Sequence, residues 1–181
     1  MFKTKETIKV KINAPKKSLG KIFVGTDHAG FEMKEKLVPF IKKLGYEVTD
    51  CGAFKYDEFD DYPDFIAPVA KAVSDQPEKI KGIILGGSGQ GEAIVANRFP
   101  NVRAVVLYAN PIYKVSDIVK LSREHNDANI LSLGARFLAL SDAKEAIREW
   151  LGTQFSNEYK HIRRLKKLDR ISREIRLKSH F

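Results

Sequence analysis

Residues 81–99 read KGIILGGSGQGEAIVANRF, the pattern of a buried strand, a glycine turn and a helix in that order. The run Ile83–Leu85 is short and apolar, as is typical of a strand that helices cover on both faces. Glycine occupies four of the six positions in 86–91, so consecutive backbone N–H groups can turn toward one point. Residues 92–98 suit a helix packed on a sheet. The glycine loop therefore lies at the positive end of a helix, where an anion is stabilised.

The spacing of the glycines excludes two common nucleotide-binding loops. A dinucleotide fingerprint, G-x-G-x-x-G, that starts at Gly87 needs a third glycine at position 92, where Glu92 stands. A Walker A loop needs Gly-Lys-Ser/Thr at its end, and the chain has Gly91-Glu92-Ala93. A carboxylate beside an anion site is expected if it is the base that creates the anion. It is equally expected if Glu92 only interacts with the helix N-terminus, and spacing leaves both open.

Length and composition indicate a single domain of ordinary globular character. The chain has 181 residues, 43% of them hydrophobic and 30% charged. Its one cysteine, Cys51, excludes an intramolecular disulfide, argues against a thiolate zinc site and is predicted to be a buried structural thiol. No apolar run reaches the length that spans a bilayer, and the lysine-containing N-terminus lacks the apolar core of a secretory signal. We therefore expect a cytoplasmic protein with no membrane partner.

The net charge of +9 is concentrated at the two ends of the chain. Residues 1–21 hold seven lysines and one acid, and residues 156–181 hold nine basic and three acidic residues. Residues 22–155 are slightly acidic, with 16 basic and 19 acidic residues. Basic ends could contact nucleic acid, form solvated faces or supply cations to a phosphate site. Because no interleaved aromatic pattern supports base stacking, we predict no nucleic-acid partner.

Strands and helices are predicted to alternate along the chain. Strands are predicted at 21–25, 46–50, 83–85, 103–108 and 130–133. Helices are predicted at 31–44, 63–74, 92–98, 112–124, 142–151 (with Ser141 as its N-cap) and 156–177. This alternation indicates an α/β protein with a three-layer Rossmann-like fold, a five-stranded parallel sheet and an additional C-terminal helix. We divide the chain into an N-terminal extension (1–20), an α/β domain (21–155) and a basic helix (156–181) that belongs to the same domain.

Ligands of such sheets bind beyond the carboxyl ends of the strands. Polar residues follow three of the predicted strands at that edge: Asp27 and His28, the glycine loop with Glu92, and Arg136. His125 and Asn126 instead precede the fifth strand, so topology does not place them there. They could belong to the site of a neighbouring subunit.

The C-terminal helix has an apolar stripe at three- and four-residue steps, formed by Ile162, Leu165, Leu168, Ile171 and Ile175. Lysines and arginines flank the stripe. Such a helix can pack on a partner subunit or cover its own domain, and the sequence alone leaves both open.

Seven fragments in this order resemble the type B ribose-5-phosphate isomerase family, which also includes galactose-6-phosphate isomerase subunits. The resemblance covers residues 21–171. The fragments are G-T-D-H-A-G-F at 25–31, D-C-G-A at 50–53, D-Y-P at 61–63, G-G-S-G-Q-G-E at 86–92, A-N-R-F at 96–99, R-E-H-N-D-A-N at 123–129 and G-A-R at 134–136. The resemblance implies a sugar-phosphate isomerase that converts an aldose to a ketose through a cis-enediolate, without metal or cofactor.

The resemblance also implies roles for individual residues. One branch of the family uses a cysteine base just before the glycine loop, where this chain has Gly86. The other branch uses a glutamate directly after the loop, which Glu92 matches. His125 matches the proton donor for ring opening, and Ser88 matches a hydroxyl that helps move a proton between O1 and O2. The remaining positions match substrate-binding residues: Asp27, His28, Gly87, Ser88, Gly89, Gln90, Gly91, Asn126, Arg136, Lys160 and Arg164.

Lys160 departs from the family pattern, which usually has arginine at both tail positions. Lysine keeps the charge but lacks the bidentate fork of arginine, which predicts a difference in phosphate geometry or substrate choice. The family is dimeric or tetrameric with sites shared between subunits. We expect ribose 5-phosphate and ribulose 5-phosphate as the substrate pair. The same reaction on a six- or four-carbon sugar phosphate, or a non-catalytic sugar-phosphate-binding protein, remains an alternative.

Overall fold

The computed structural model describes residues 18–109, 112 and 114–178. Of the predicted N-terminal extension, residues 1–17 lie outside the described part. The strands are β1 (Lys21–Thr26), β2 (Glu47–Asp50), β3 (Ile80–Gly86), β4 (Ala104–Leu107) and β5 (Ile130–Gly134). They form one parallel sheet in the order β2-β1-β3-β5-β4, which confirms the predicted five-stranded sheet.

Helices cover both faces of the sheet. They are α1 (Phe31–Lys43), α2 (Tyr62–Asp75), α3 (Gln90–Ala96), α4 (Val115–Asn126), α5 (Leu140–Gly152) and α6 (Tyr159–Lys178), and a 3-10 turn (His28–Gly30) precedes α1. The core cluster on one face joins side chains of α1, α4 and α5 to the sheet, and the cluster on the other face joins α2 and α3. The three-layer prediction is confirmed. Because both faces are covered, every residue of β5 is buried.

Several helix boundaries differ from the prediction: α3 spans Gln90–Ala96 rather than 92–98, α6 begins at Tyr159 rather than at 156, and α4 and α5 also differ. Helix α4 begins at Val115 rather than at 112 and continues through His125 to Asn126, with Asp127 as its C-cap at a φ of 45°. The Arg123–Asp127 ion pair of 2.8 Å stabilises this last turn. Helix α5 begins at Leu140, so Ser141 lies inside it and the predicted Ser141 cap is wrong. The Ser141 hydroxyl lies 3.4 Å from the Asp142 carboxylate instead of satisfying a backbone N–H group.

Helix α6 packs on the end of α4 only through its first two turns. His161 is buried, and Ile162 and Leu165 are half-buried. From Lys166 onward every α6 side chain that the structure describes is exposed. The apolar stripe therefore covers its own domain at the start of α6 and is open to solvent further along. Among the described residues no helix is both long and apolar enough to cross a membrane.

Cys51 follows β2 directly and is half-buried, so the prediction of a buried thiol is wrong in degree. It packs against the α2 side of the core. Burial, with a smaller contribution from the Asp50 carboxylate, raises the pKa of the Cys51 thiol, and Lys34 partly opposes this effect.

Candidate active site

A crevice opens at the carboxyl edge of the sheet between β1 and β3. The chain leaves β1 toward β2 and leaves β3 toward β4, in opposite directions along the sheet. Ligands of open α/β sheets bind at such a point of divergence. The Thr26 hydroxyl donates to the Leu85 carbonyl oxygen (3.0 Å) and so joins the two strand ends. Asp27 and the glycine loop follow these two ends directly.

Glu92 lies at the bottom of this crevice and is only 4% exposed. It belongs to the first turn of α3, which begins at Gln90 and so takes in part of the predicted loop. A Cβ atom added to Gly86 would overlap the Glu92 carboxylate, so the carboxylate occupies the space where other residue types would place a side chain at position 86. Burial and, to a smaller extent, the nearby Asp27 charge raise the pKa of Glu92, while its own backbone N–H opposes the shift. A raised pKa suits a base that must take up and return a proton.

The glycine loop is held in shape by its own backbone conformation and by contacts with two elements, β5 and α2. Gly89 has a φ of 73°, a left-handed conformation that favours glycine. The Ser132 hydroxyl of β5 donates to the Gly89 carbonyl oxygen (2.7 Å). The Tyr62 ring lies so close to Gly91 that an added Cβ atom would be 2.9 Å from it. Gly87, Ser88 and Gly91 remain partly exposed.

Two predicted site residues in the loop have local partners. The Ser88 hydroxyl oxygen accepts from the Gln90 backbone N–H (3.3 Å). The Gln90 side-chain amide donates to the Tyr108 hydroxyl, which connects the loop with the end of β4. Ser88 is half-buried and Gln90 is exposed, so both are at the rim of the crevice.

Arg136 reaches the glycine loop from the turn after β5. The Ala135 N–H donates to the Gly86 carbonyl oxygen (2.9 Å), and the Arg136 N–H donates to the Gly87 carbonyl oxygen (3.1 Å). The guanidinium lies over Gly87, where an added Cβ atom would be 3.2 Å from the Arg136 Cζ and Nε atoms. A positive charge therefore stands at the mouth of the crevice, as a phosphate site requires.

His28 stands on the other side of the same mouth and is fixed by Asp60. The Asp60 Oδ1 atom accepts from the His28 backbone N–H (3.0 Å) and lies 2.7 Å from His28 Nδ1. The Tyr56 ring meets the imidazole edge-on, with 6.2 Å between centroids. A cavity of about 380 Å³ opens here between His28 and Arg136, and Lys36 also lines it. Glu32 lines it as well, so two cationic side chains face one carboxylate, and the volume is large enough for a small anionic ligand.

Asp27 faces the crevice and caps the 3-10 turn. Its Oδ1 atom accepts from the Ala29 N–H (3.0 Å), and the residue is 7% exposed. The ligand atoms of Asp27, His28 and Asp60 lie within 4.8 Å of one another, which is close enough for a metal ion. The hydrogen bond between His28 and Asp60 already accounts for the proximity of two of the three, so the cluster is explained as a polar network.

His125 and Asn126 lie at the opposite edge of the sheet. Both are exposed in the last turn of α4, just before β5 begins. Because Glu92 follows the far end of β3, these two sets of residues are separated by roughly the length of a strand, on the order of 15–20 Å. A single chain therefore does not bring Glu92 and His125 together. The carboxyl-edge prediction for Asp27, His28, Glu92 and Arg136 agrees with this geometry.

Lys160 and Arg164 lie on exposed positions in the first half of α6, near His125. The Lys160 ammonium pairs with Glu158 at 2.9 Å. This hydrogen bond and the Lys160 charge lower the pKa of Glu158, and His161 and His125 add smaller effects of the same sign. The predicted phosphate-binding cations thus share the amino edge with His125 and not the edge with Glu92.

The sequence did not predict Asp60 and His161, which contact the predicted site residues His28 and His125. Asp60 precedes the D-Y-P fragment and fixes His28 from 32 positions away. His161 is buried against His125, with 4.3 Å between ring centroids. A signal for His161 was present, because it stands four residues before Leu165, on the packed face of α6. No local pattern marks Asp60.

The arrangement defines a class: a parallel α/β protein with a buried carboxylate beside an anion-stabilising glycine loop. A family model described as Ribose/Galactose Isomerase matches residues 22–168. The chain belongs to this family, which confirms the resemblance found in the sequence.

Two relatives of this chain are named ribose-5-phosphate isomerase B. The chain is 37% identical over 146 residues to ribose-5-phosphate isomerase B of Mycolicibacterium paratuberculosis, covering 80% of this chain and 87% of the relative. It is 40% identical over 135 residues to ribose-5-phosphate isomerase B of Escherichia coli K12, covering 75% and 85%.

Solved structures agree with this fold. The structure of ribose-5-phosphate isomerase B from Mycoplasma genitalium with bound ribulose-5-phosphate matches with a TM-score of 0.81 at 30% identity, over 87% of this chain and 99% of that one. The Clostridium thermocellum ribose-5-phosphate isomerase B structure matches with a TM-score of 0.77 at 40% identity, over 86% and 99%.

Proposed function

We propose that this protein is an aldose–ketose isomerase that interconverts ribose 5-phosphate and ribulose 5-phosphate. The observation that carries the proposal is Glu92, a buried carboxylate with a raised pKa at the bottom of the crevice beside the glycine loop. The named relatives, all ribose-5-phosphate isomerases B, support the choice of substrate.

In this mechanism Glu92 removes the proton from C2 of the open aldose. The electrons of that C–H bond form the C1–C2 double bond, and the carbonyl π electrons move to O1, which gives a cis-enediolate. Backbone N–H groups of the loop 87–91 stabilise the negative oxygen, and one well-placed donor of this kind contributes about 3–4 kcal/mol. Glu92 then returns the proton to C1. Net transfer of a proton from O2 to O1, assisted by Ser88, completes the ketose.

Ribose 5-phosphate exists mainly as a ring, so the reaction also needs a ring-opening step. His125 is the residue we propose for proton donation to the ring oxygen, with Asp27 and Asn126 binding the sugar hydroxyls. Because His125 lies a strand's length from Glu92 in one chain, the proposal requires a homo-oligomer in which the amino edge of one copy meets the carboxyl edge of another. The solvent-open stripe at the end of α6 offers an apolar face for that contact.

The phosphate is proposed to lie between cations of both copies. His28 and Arg136 line the cavity at the mouth of the crevice, and Lys160 and Arg164 of the second copy would approach it across the subunit boundary. We also place the enzyme in the cytoplasm, since sugar phosphates are cytoplasmic metabolites, and we assign it no nucleic-acid partner.

The test is conversion of ribose 5-phosphate to ribulose 5-phosphate by the wild type and by Glu92→Gln. Removing a general base costs about 10²–10⁴ in rate, so Glu92→Gln should lose turnover by that factor while it still binds the sugar phosphate. EDTA should leave the wild-type rate unchanged. Near-normal turnover by Glu92→Gln would refute the mechanism.

Comparing ribose 5-phosphate with allose 6-phosphate, galactose 6-phosphate and erythrose 4-phosphate tests the sugar length. A preference for a six- or four-carbon sugar would move the assignment within the same reaction class. No turnover of any of the four by folded protein would favour a non-catalytic sugar-phosphate-binding role.

A further inference from the structure

The ring of His125 is exposed on one side and rests on a buried histidine on the other. The His161 ring lies 4.3 Å from the His125 ring, centroid to centroid, and the two planes cross at 70°. His161 is 1% exposed, whereas His125 is exposed. An exposed side chain in a last helical turn ordinarily samples several rotamers. Here a buried ring limits that freedom.

His161 is itself tied to the residue that precedes His125. Its Nδ1 atom lies 3.1 Å from the Glu124 carbonyl oxygen and 3.2 Å from the Ser156 hydroxyl. Because a carbonyl oxygen only accepts, Nδ1 carries a proton and donates it to the Glu124 carbonyl oxygen. The same carbonyl oxygen accepts the Ser156 backbone N–H (3.2 Å). The His161 ring is therefore fixed relative to the backbone of the α4 end.

A side chain at position 161 that only filled space would not need a polar nitrogen atom bonded to Glu124 and Ser156. His161 shares the packed face of α6 with Ile162 and Leu165, and a leucine at 161 would also fill that face. A buried imidazole instead costs free energy unless its polar atoms are bonded, and the bond is made to the backbone beside His125. The hydrogen bond of His161 therefore fixes a ring that lies directly against the ring of His125.

We propose that His161 is a positioning residue that holds His125 in the orientation needed for ring opening. The inference rests on the proposed function, which gives His125 that step. Proton transfer by a side chain needs its geometry held within about 0.5 Å and 10–20°. His161 supplies this constraint from the subunit that contributes His125 and has no contact with the proton abstraction at Glu92.

The test separates ring opening from proton abstraction. Ribulose 5-phosphate has its O5 atom esterified, so it cannot close to a furanose and needs no ring opening. Incorporation of deuterium from D2O at C1 of ribulose 5-phosphate, followed by NMR, therefore reports the Glu92 step. Conversion of ribose 5-phosphate reports both steps. For each variant, both rates and the melting temperature are compared with those of the wild type.

Two variants at position 161 separate the ring from the hydrogen bond. His161→Asn can keep a donor near the Nδ1 position but removes the ring under His125. It should lower kcat/KM for ribose 5-phosphate by about tenfold or more and leave deuterium incorporation within about twofold of wild type. His161→Phe keeps a flat ring but no donor. It should keep more of the conversion than His161→Asn does but less than the wild type, and it should melt at a lower temperature, because Glu124 and Ser156 lose a partner.

Unchanged conversion in both variants would overturn the role of His161. A parallel fall of conversion and deuterium incorporation would overturn it too, because a merely structural residue would affect both steps. Failure of the proposed function would look different: deuterium incorporation would be missing in the wild type or would persist in Glu92→Gln.

Discussion

Glu92 is buried beside a second carboxylate, that of Asp27. This environment sets how the activity and the stability of the protein respond to pH. Burial first and Asp27 second raise the pKa of Glu92 above its ordinary value of 4.5. The base that we propose works only when ionised, so kcat/KM should rise with pH through this raised pKa. A pH–rate profile whose acid limb lies at the ordinary glutamate pKa would contradict the assignment.

The same raised pKa predicts a stability difference. The wild type loses stability as pH rises through the folded-state pKa of Glu92, since ionisation is easier in the unfolded chain. Glu92→Gln should therefore melt at a higher temperature than the wild type near pH 7. The difference should vanish below the ordinary glutamate pKa of 4.5. Glu145→Gln, at an exposed position of α5, is the control and should not show this pH-dependent gain.

Gly86 and Glu92 compete for the same space. A Cβ atom at Gly86 would overlap the Glu92 carboxylate, so Gly86→Ala must displace it. Misplacing a catalytic group by about 1 Å can cost about 10²-fold in rate, and we expect a loss of that size in ribose 5-phosphate conversion. Gly152→Ala is the matched control, because a Cβ atom there meets nothing within 4 Å. Equal activity of the two variants would show that Glu92 tolerates displacement.

At the scale of elements, Lys34 fastens α1 to the segment that follows β2. This lysine is fully buried, and its ammonium donates to the Asp50 carboxylate and to the Ala53 carbonyl oxygen, both at 2.7 Å. The Ala53 N–H in turn donates to the Thr26 carbonyl oxygen (2.7 Å), next to Asp27. These hydrogen bonds thus connect α1 and the end of β2 to the end of β1, next to the crevice residue Asp27.

Lys34→Met should destabilise the fold strongly. Removing one partner of a buried ion pair costs about 3–5 kcal/mol of unfolding free energy, and we expect the lower end of this range because the Asp50 side chain is 28% exposed. Lys42→Met, at an exposed position of the same helix, should change it by less than about 0.5 kcal/mol. Urea denaturation measures both. A small effect at Lys34 would mean that water or a rearrangement compensates Asp50.

At the scale of the whole molecule, the proposed catalytic groups occupy opposite edges of one sheet. Glu92 and Arg136 lie at the carboxyl edge, and His125 lies at the amino edge with the α6 cations. If one site combines the two edges of different copies, two inactive variants should complement each other. Each mixed dimer of Glu92→Gln and His125→Asn would contain one intact site and one doubly altered site.

Complementation gives a quantitative prediction. Equal amounts of the two variants, dissociated and reassembled at random, should recover about a quarter of wild-type activity, because half of the dimers are mixed and each has one intact site of two. Each variant reassembled with itself is the control. No recovery from a mixture shown to contain mixed dimers would place the complete site within one chain.

The sequence by itself determined the fold class and one half of the site. Alternating apolar strands and helices fixed a parallel sheet, because their periodicity is local information. Parallel strands bring all their carboxyl ends to one edge, so Asp27, Glu92 and Arg136 had to lie near one another. Element ends were less certain: α4 continues to Asn126 because the Arg123–Asp127 pair extends it, and Ser141 lies within α5.

Only the tertiary structure decided how the site residues are held and which of them meet. His28 finds Asp60, Glu92 fills the space above Gly86, and His125 rests on His161. The tertiary structure also separated His125 from Glu92 by the length of a strand. Such contacts join residues that are far apart in the chain or depend on side-chain direction, and a local pattern of apolar and polar residues does not encode either.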